Sequence, residues 1–294
     1  MNGTMTSVWL IPVVLLAAAC GGPKERPVVV GSKNFTEQVV LGEIIAQHLE
    51  KRLGRKVDRK LNLGGTLLTH QGLLSGELDL YPEYTGTGIA AILKEQPSGG
   101  ADAVYERMRS EYARLHQFEV FPPLGVDNTF LMVVSKKVAQ EKKISTLSQA
   151  AKVQSFWKLG AGFEFQERPD GFAALTNYRL EWIQPPRAMD LGLLYKALEE
   201  GHVNMLAANA TDGLLDPETL VGLEDDQHVF PPYQVCIVAR QQSLREIPGL
   251  REALAELSGK LNNETMRRLN AAVDSGKKPP AEVAAGFLKS AGLQ

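Results

Sequence analysis

The stretch Tyr81-Pro82-Glu83-Tyr84-Thr85-Gly86-Thr87-Gly88 brings two kinds of chemistry into one turn. The ring of Tyr84 offers a π face to a cation. Thr85 and Thr87, together with the free N–H groups of a helix starting there, offer a site for an anion. Lys33, in Gly31-Ser32-Lys33-Asn34, stands in a second strand-to-helix turn and is a second candidate ligand contact. Catalytic patterns are missing from the sequence. It has no G-x-S-x-G elbow, no H-E-x-x-H and no Cys/His cluster, and His48, His70, His116, His202 and His228 are scattered, which argues against a metal. Gly86-Thr87-Gly88-Ile89-Ala90-Ala91 does match G-x-G-x-x-A after a strand. It lies deep in the domain, however, and no acidic residue closes a strand about 20 residues further on, as a dinucleotide site requires. The chemistry on offer is binding without catalysis or cofactor.

The elements that must hold these turns can be read from spacing. Val28-Val29-Val30-Gly31 is a continuous β-branched run, as in a buried parallel strand. Asn34 with Glu37 three residues later matches a helix-start signal, and Leu41, Ile45, Leu49 and Leu53 follow on one face before Gly54 ends the helix. Lys56 to Leu63 reads as a strand, and Gly64-Gly65-Thr66 opens a helix through Leu74. Leu78 to Tyr81 is a strand that Pro82 should stop, because proline cannot donate to a ladder. Ile89 to Leu93 is helical. Val104, Met108, Tyr112 and Leu115 form one stripe of core. Residues 120–134 form an extended crossing into a new sheet, Lys136 to Lys152 is helical with Ser145 or Thr146 as cap, and residues 163–171 form a loop rich in aromatics and charge. The strand Val203–Ala208 follows, residues 225–233 return, and Val235–Ala239 is the strand that they deliver. Three helices close the chain, the last between Pro279-Pro280 and Gly292. Strands alternating with helices imply two α/β lobes joined by two extended crossings.

The chain has 294 residues, 44% of them hydrophobic, which suffices for one large or two medium domains, and its net charge of −2 provides no basic field for nucleic acid. Residues 8–19 are apolar but shorter than the about 20 residues that span a bilayer. They fit the apolar region of a signal peptide and run into Cys20-Gly21-Gly22, which resembles the bacterial lipoprotein signal. In this reading residues 1–19 are the signal peptide, Cys20 is lipidated, and residues 20–27 tether the protein to a membrane. Cys236, in Val235-Cys236-Ile237-Val238, is then an unpaired, buried strand residue.

With these motifs in view, the chain resembles the substrate-binding proteins of ABC importers for glycine betaine, choline and related quaternary amines. The matching segments are Gly31-Ser32-Lys33-Asn34-Phe35-Thr36-Glu37-Gln38, Leu61-Asn62-Leu63-Gly64-Gly65-Thr66, Tyr81 to Gly88, Asp127 to Phe130, Thr211-Asp212-Gly213 and Phe230-Pro231-Pro232-Tyr233, in the family's order over residues 27–294. The resemblance implies a two-lobed α/β periplasmic-binding-protein fold, type II-like, with two crossover strands and the ligand in a cleft between lobes. Lobe 1 would be 28–127 plus 231–294, and lobe 2 would be 128–230. It implies aromatic faces at Tyr84, Phe130 and Tyr233, with Asn128 lining the same region. Lys33, Thr87 and Arg168 would hold a carboxylate. Asn209 aligns with a fourth wall position, often tyrosine, and Phe130 lacks the hydroxyl expected there. The anion side is kept while the cation side is thinned, so a zwitterion is expected over choline. The implied partners are an ABC permease with its ATPase and a membrane reached through the lipid anchor. The protein would work as an extracytoplasmic monomer without catalytic residues. A ligand-sensing subunit, or an enzyme on the same fold, are the alternatives from other classes.

Overall fold

The computed structural model describes residues 26–293; the signal segment and Cys20 lie outside them. In chain order the strands are β1 (Val28–Gly31), β2 (Val57–Lys60), β3 (Leu80–Tyr84), β4 (Phe118–Val120), β5 (Phe130–Ser135), β6 (Leu159–Ala161), β7 (Arg187–Ala188), β8 (Met205–Asn209), β9 (Leu220–Leu223) and β10 (Val235–Arg240). They form two five-stranded sheets, ordered β2-β1-β3-β10-β4 and β7-β6-β8-β5-β9. The valine run of β1 lies between β2 and β3 and parallel to both. Helix Thr36–Leu53 covers this sheet with Leu41, Ile45 and Leu49, all fully buried, and ends at Gly54 in the left-handed conformation.

β10 is the return strand. It inserts antiparallel between β3 and β4, so the end of the chain completes the sheet that its beginning started. The outgoing and returning crossings lie side by side. Asp127 and Gln234 form an antiparallel bridge. The Asn128 N–H donates to the Tyr233 carbonyl at 3.1 Å, and the Val235 N–H to the Val126 carbonyl at 2.9 Å. The Asp127 carboxylate accepts the Tyr233 N–H at 2.8 Å.

Several expectations need correction. β3 runs through Pro82 to Tyr84, because β1 has already ended beside it: their register is confined to Val30 and Leu80, so the missing N–H deprives no neighbour. Asn34 and Glu37 do not cap the first helix. Its N-cap is Phe35, with no side-chain bond, and Glu37 is drawn into the interior instead. Leu115 is 50% exposed, although Val104, Met108 and Tyr112 are core. Lys143 in the left-handed region divides the segment after β5 into helices Lys136–Lys142 and Leu147–Ala150, the second with a capping box between Thr146 and Gln149. The aromatic loop begins as a helix, Phe163–Glu167. β7 and β9 are too short to carry a period that the sequence could reveal. Cys236 is a free thiol, fully buried in β10, as its neighbours imply.

Candidate ligand-binding cleft

The carboxyl ends of β1, β3, β6 and β8 and the start of β5 converge on one cavity of about 340 Å³. That lies toward the small end of small-molecule sites, which run about 300–1,000 Å³. All eight residues singled out in the sequence line it: Lys33 and Tyr84 after β1 and at the end of β3, Thr87 in the following turn, Asn128 and Phe130 from the outgoing crossing, Arg168 after helix Phe163–Glu167, Asn209 at the end of β8, and Tyr233 from the returning crossing.

One wall is aromatic. The Phe130 ring meets Phe165, Tyr233 and Phe230 edge to face, with centroids 4.9, 5.2 and 5.6 Å away. Tyr84 is stacked on Phe35 at 6.2 Å. Phe35 and Phe165 line the cavity and add ring faces that the sequence argument did not assign. Phe35 sat unremarked inside a quoted motif, and Phe165 inside the stretch taken as a loop.

The cationic groups are not free. Lys33, almost fully buried, donates from Nζ to Glu83 Oε1 at 2.5 Å and to Thr66 Oγ1 at 3.0 Å. Arg168 grips Asp170 with two hydrogen bonds of 2.9 and 2.5 Å, donates to Thr87 Oγ1 at 3.1 Å, and lies over the rings of Phe130 and Tyr233 at 5.4 and 5.8 Å. Burial works against its charge, but Asp170 more than offsets this and holds the guanidinium pKa above its ordinary value. Tyr233 donates its hydroxyl to the same Asp170 carboxylate at 2.7 Å. Thr85 serves the hinge, donating to the Pro232 carbonyl and accepting the Gln234 N–H, so the anion site expected at Thr85 and Thr87 reduces to Thr87.

A carboxylate already sits across the cleft. Glu164 accepts the Thr66 N–H at 2.5 Å and the Thr66 hydroxyl at 3.0 Å, at the start of helix Thr66–Ser75. A Cβ on Gly65 would lie 2.1 Å from Glu164 Oε1, so glycine is what permits the approach. Behind the aromatic wall Glu37 is a second hub. Its carboxylate accepts from Tyr84 Oη at 2.8 Å, Asn128 Nδ2 at 2.9 Å, Asn270 Nδ2 at 3.1 Å and the Thr211 hydroxyl. Burial pushes its pKa up, against the pull of those four donors.

Asp212 follows Thr211 and accepts the Tyr195 hydroxyl at 2.8 Å and the Asn209 N–H at 3.2 Å. Burial pushes its carboxyl from 3.8 up to about 6, with Glu37 and Asp274 adding to the shift. An acid whose folded pKa is raised binds its proton more tightly when folded. Its stabilising share is complete below the unfolded pKa and is lost as pH rises through about 6. Relative to the parent, Asp212→Asn should therefore gain thermal stability between about pH 4 and pH 7. A difference that does not vary with pH in a melting series would contradict this.

Among the described residues no group of side chains could hold a metal ion, and no helix is long and apolar enough to cross a membrane. Residues 26–290 match the family model for the substrate binding domain of the ABC-type glycine betaine transport system. The chain is 35% identical over 290 residues to the ergothioneine transport permease/ergothioneine binding protein EgtU of Helicobacter pylori, covering 98% of this chain and 50% of that protein. It thus spans about half the length of that relative. It is 30% identical over 294 residues to the carnitine transport binding protein OpuCC of Listeria monocytogenes, covering 96% of this chain and 94% of that one. A crystal structure of a glycine betaine/carnitine/choline ABC transporter superposes with a TM-score of 0.75 at 28% identity, over 90% of this chain and 99% of that one.

Proposed function

The chain belongs to the family of substrate-binding domains of ABC-type glycine betaine transport systems, and we propose that it captures a zwitterion with a quaternary ammonium and a carboxylate and hands it to an importer permease driven by an ATPase. The observation that carries this is the aromatic wall with neutralised cations beside it. A trimethylammonium group has no N–H to donate, so a polar pocket gains little from it. Ring faces attract it by roughly 0.5–2 kcal/mol per contact. Arg168 next to Phe130 and Tyr233 would repel such a cation. Its pairing with Asp170 removes that repulsion and leaves its remaining donors for an anion. Glu83 does the same for Lys33.

The carboxylate end has donors at the Thr66 N–H and hydroxyl, where Glu164 now sits, and at Thr87. A ligand carboxylate takes over the place that Glu164 holds. Glycine betaine, carnitine and ergothioneine, named for the relatives, are all trimethylammonium carboxylates. The comparison that tests the reading sets glycine betaine against tert-butylacetate, which has the same shape and carboxylate but a neutral centre. Titration calorimetry should favour the betaine by about tenfold or more, the worth of one or two cation–π contacts; equal affinities would reduce the rings to apolar packing.

Residues 28–127 with 231–294, and 128–230, act in this account as two lobes that close about the paired crossings, in a monomer that carries out no reaction on its ligand. Signal cleavage before Cys20 and lipidation there would leave the protein tethered outside the cytoplasm by residues 20–27. Cys20→Ser should then release it from the membrane fraction, and continued sedimentation with membranes would contradict the anchor.

A further inference from the structure

The cleft does not end at the aromatic wall. A second cavity of about 420 Å³ adjoins the first, and Phe35, Asn128, Asp190 and Asn209 line both. Four carboxylates line it, those of Glu37, Asp190, Asp212 and Asp274, and no Lys, Arg or His does so. Glu37 is fully occupied by its four donors, but the others keep oxygens to spare. Asp190 uses Oδ1 on the Gly192 N–H, Asp274 uses Oδ1 on the Thr36 hydroxyl, and Asp212 uses Oδ2 on Tyr195 and Asn209. An independent observation points the same way. Asn270, 3% exposed, also lines this cavity, and its Oδ1 has no hydrogen-bond partner although its amide nitrogen has two. Burying an acceptor without a donor costs about 1–3 kcal/mol, which a donor entering the cavity would recover.

Asn209 marks the junction. It pairs directly with Phe130 across β5 and β8, at the edge of the aromatic wall. A ring at that position would stand beside Phe130 and divide the cavities; asparagine leaves them joined.

We propose that the second cavity is a side-chain subsite, so that the ligand is a trimethylated amino acid whose side chain carries N–H donors or a protonated nitrogen and passes Asn209 to reach the acidic lining. This rests on the betaine reading above. Its ammonium and carboxylate would occupy the first cavity, as glycine betaine's would. Only the side chain would distinguish it.

Calorimetry on the full-length chain with glycine betaine, trimethyl-leucine and trimethyl-histidine separates the possibilities. Trimethyl-histidine is expected to bind at least about tenfold tighter than either of the others, one or two good hydrogen bonds to charged acceptors. Glycine betaine binding as tightly as trimethyl-histidine would overturn the subsite and leave the betaine reading standing. Equal binding of trimethyl-leucine and trimethyl-histidine would show that the cavity supplies room but no recognition, and would overturn the donor requirement. Failure of every quaternary amine to bind would overturn both. Asn209→Tyr should cut the preference for trimethyl-histidine over glycine betaine by about tenfold, and Asp212→Asn should lower the same ratio should the tyrosine not be accommodated. A ratio that neither change moves contradicts the proposal.

Discussion

Tyr233→Ala is expected to weaken binding of a trimethylammonium carboxylate by more than about tenfold, that is, by more than about 1.4 kcal/mol. The ring provides one cation–π face, about 0.5–2 kcal/mol, and holds Phe130 edge to face at 5.2 Å, a contact of about 0.5–1.5 kcal/mol. Its hydroxyl also shares Asp170 with Arg168. Truncation therefore removes a wall, loosens a second one and unsettles the ion pair that keeps the site neutral. Tyr233→Phe separates these contributions. It keeps the face and loses only the bond to Asp170, so its affinity should stay within about fivefold of the parent. Calorimetry at a temperature where both variants are folded gives the answer. A Tyr233→Ala protein that binds within about twofold of the parent would remove the ring from the site.

The second large effect is on stability. Glu37→Ala should cost about 3–5 kcal/mol, near the upper end for single substitutions. The carboxylate is completely buried and collects hydrogen bonds from four segments: Tyr84 at the end of β3, Asn128 in the outgoing crossing, Thr211 after β8, and Asn270 in helix Asn263–Asp274. Removing it strands donors that cannot reach water, each worth about 1–3 kcal/mol; Asn270 is spared part of this by its second bond to the Thr211 carbonyl. Glu37→Gln should be milder, because it keeps the volume and one acceptor oxygen. Urea midpoints for the parent and both variants would show the order, and a loss below about 1 kcal/mol for Glu37→Ala would contradict the hub. Because Glu37 joins residues of both sheets at the crossings, the same substitution should also reduce ligand affinity.

The identity of the cleft residues was legible in the sequence to a greater degree than their state. Lys33, Tyr84, Thr87, Asn128, Phe130, Arg168, Asn209 and Tyr233 lie together because strand ends and crossings bring them there, and those turns announce themselves through glycine, proline and changes of period. Charge pairing did not announce itself. Asp170 lies two residues from Arg168 and was one of three acidic neighbours, and only folding selects it and buries the pair. Glu83 lies 50 residues from Lys33. Glu37 looked like a local capping residue because spacing cannot distinguish a carboxylate that turns back on its own helix from one that turns inward. Pro82 misled for a related reason: its cost depends on whether a neighbouring strand needs the missing N–H, and β1 ends too early to need it.

The central claim is that rings and neutralised cations hold a quaternary ammonium carboxylate, and thermal unfolding of the full-length chain tests it most directly. At about 100 times its dissociation constant such a ligand should stabilise the fold by about 2.7 kcal/mol and raise the midpoint by roughly 5–10 °C. The account predicts that rise with trimethylammonium carboxylates and not with the corresponding unmethylated amino acids; a midpoint that no quaternary amine moves, while an unmethylated amino acid does, would contradict it.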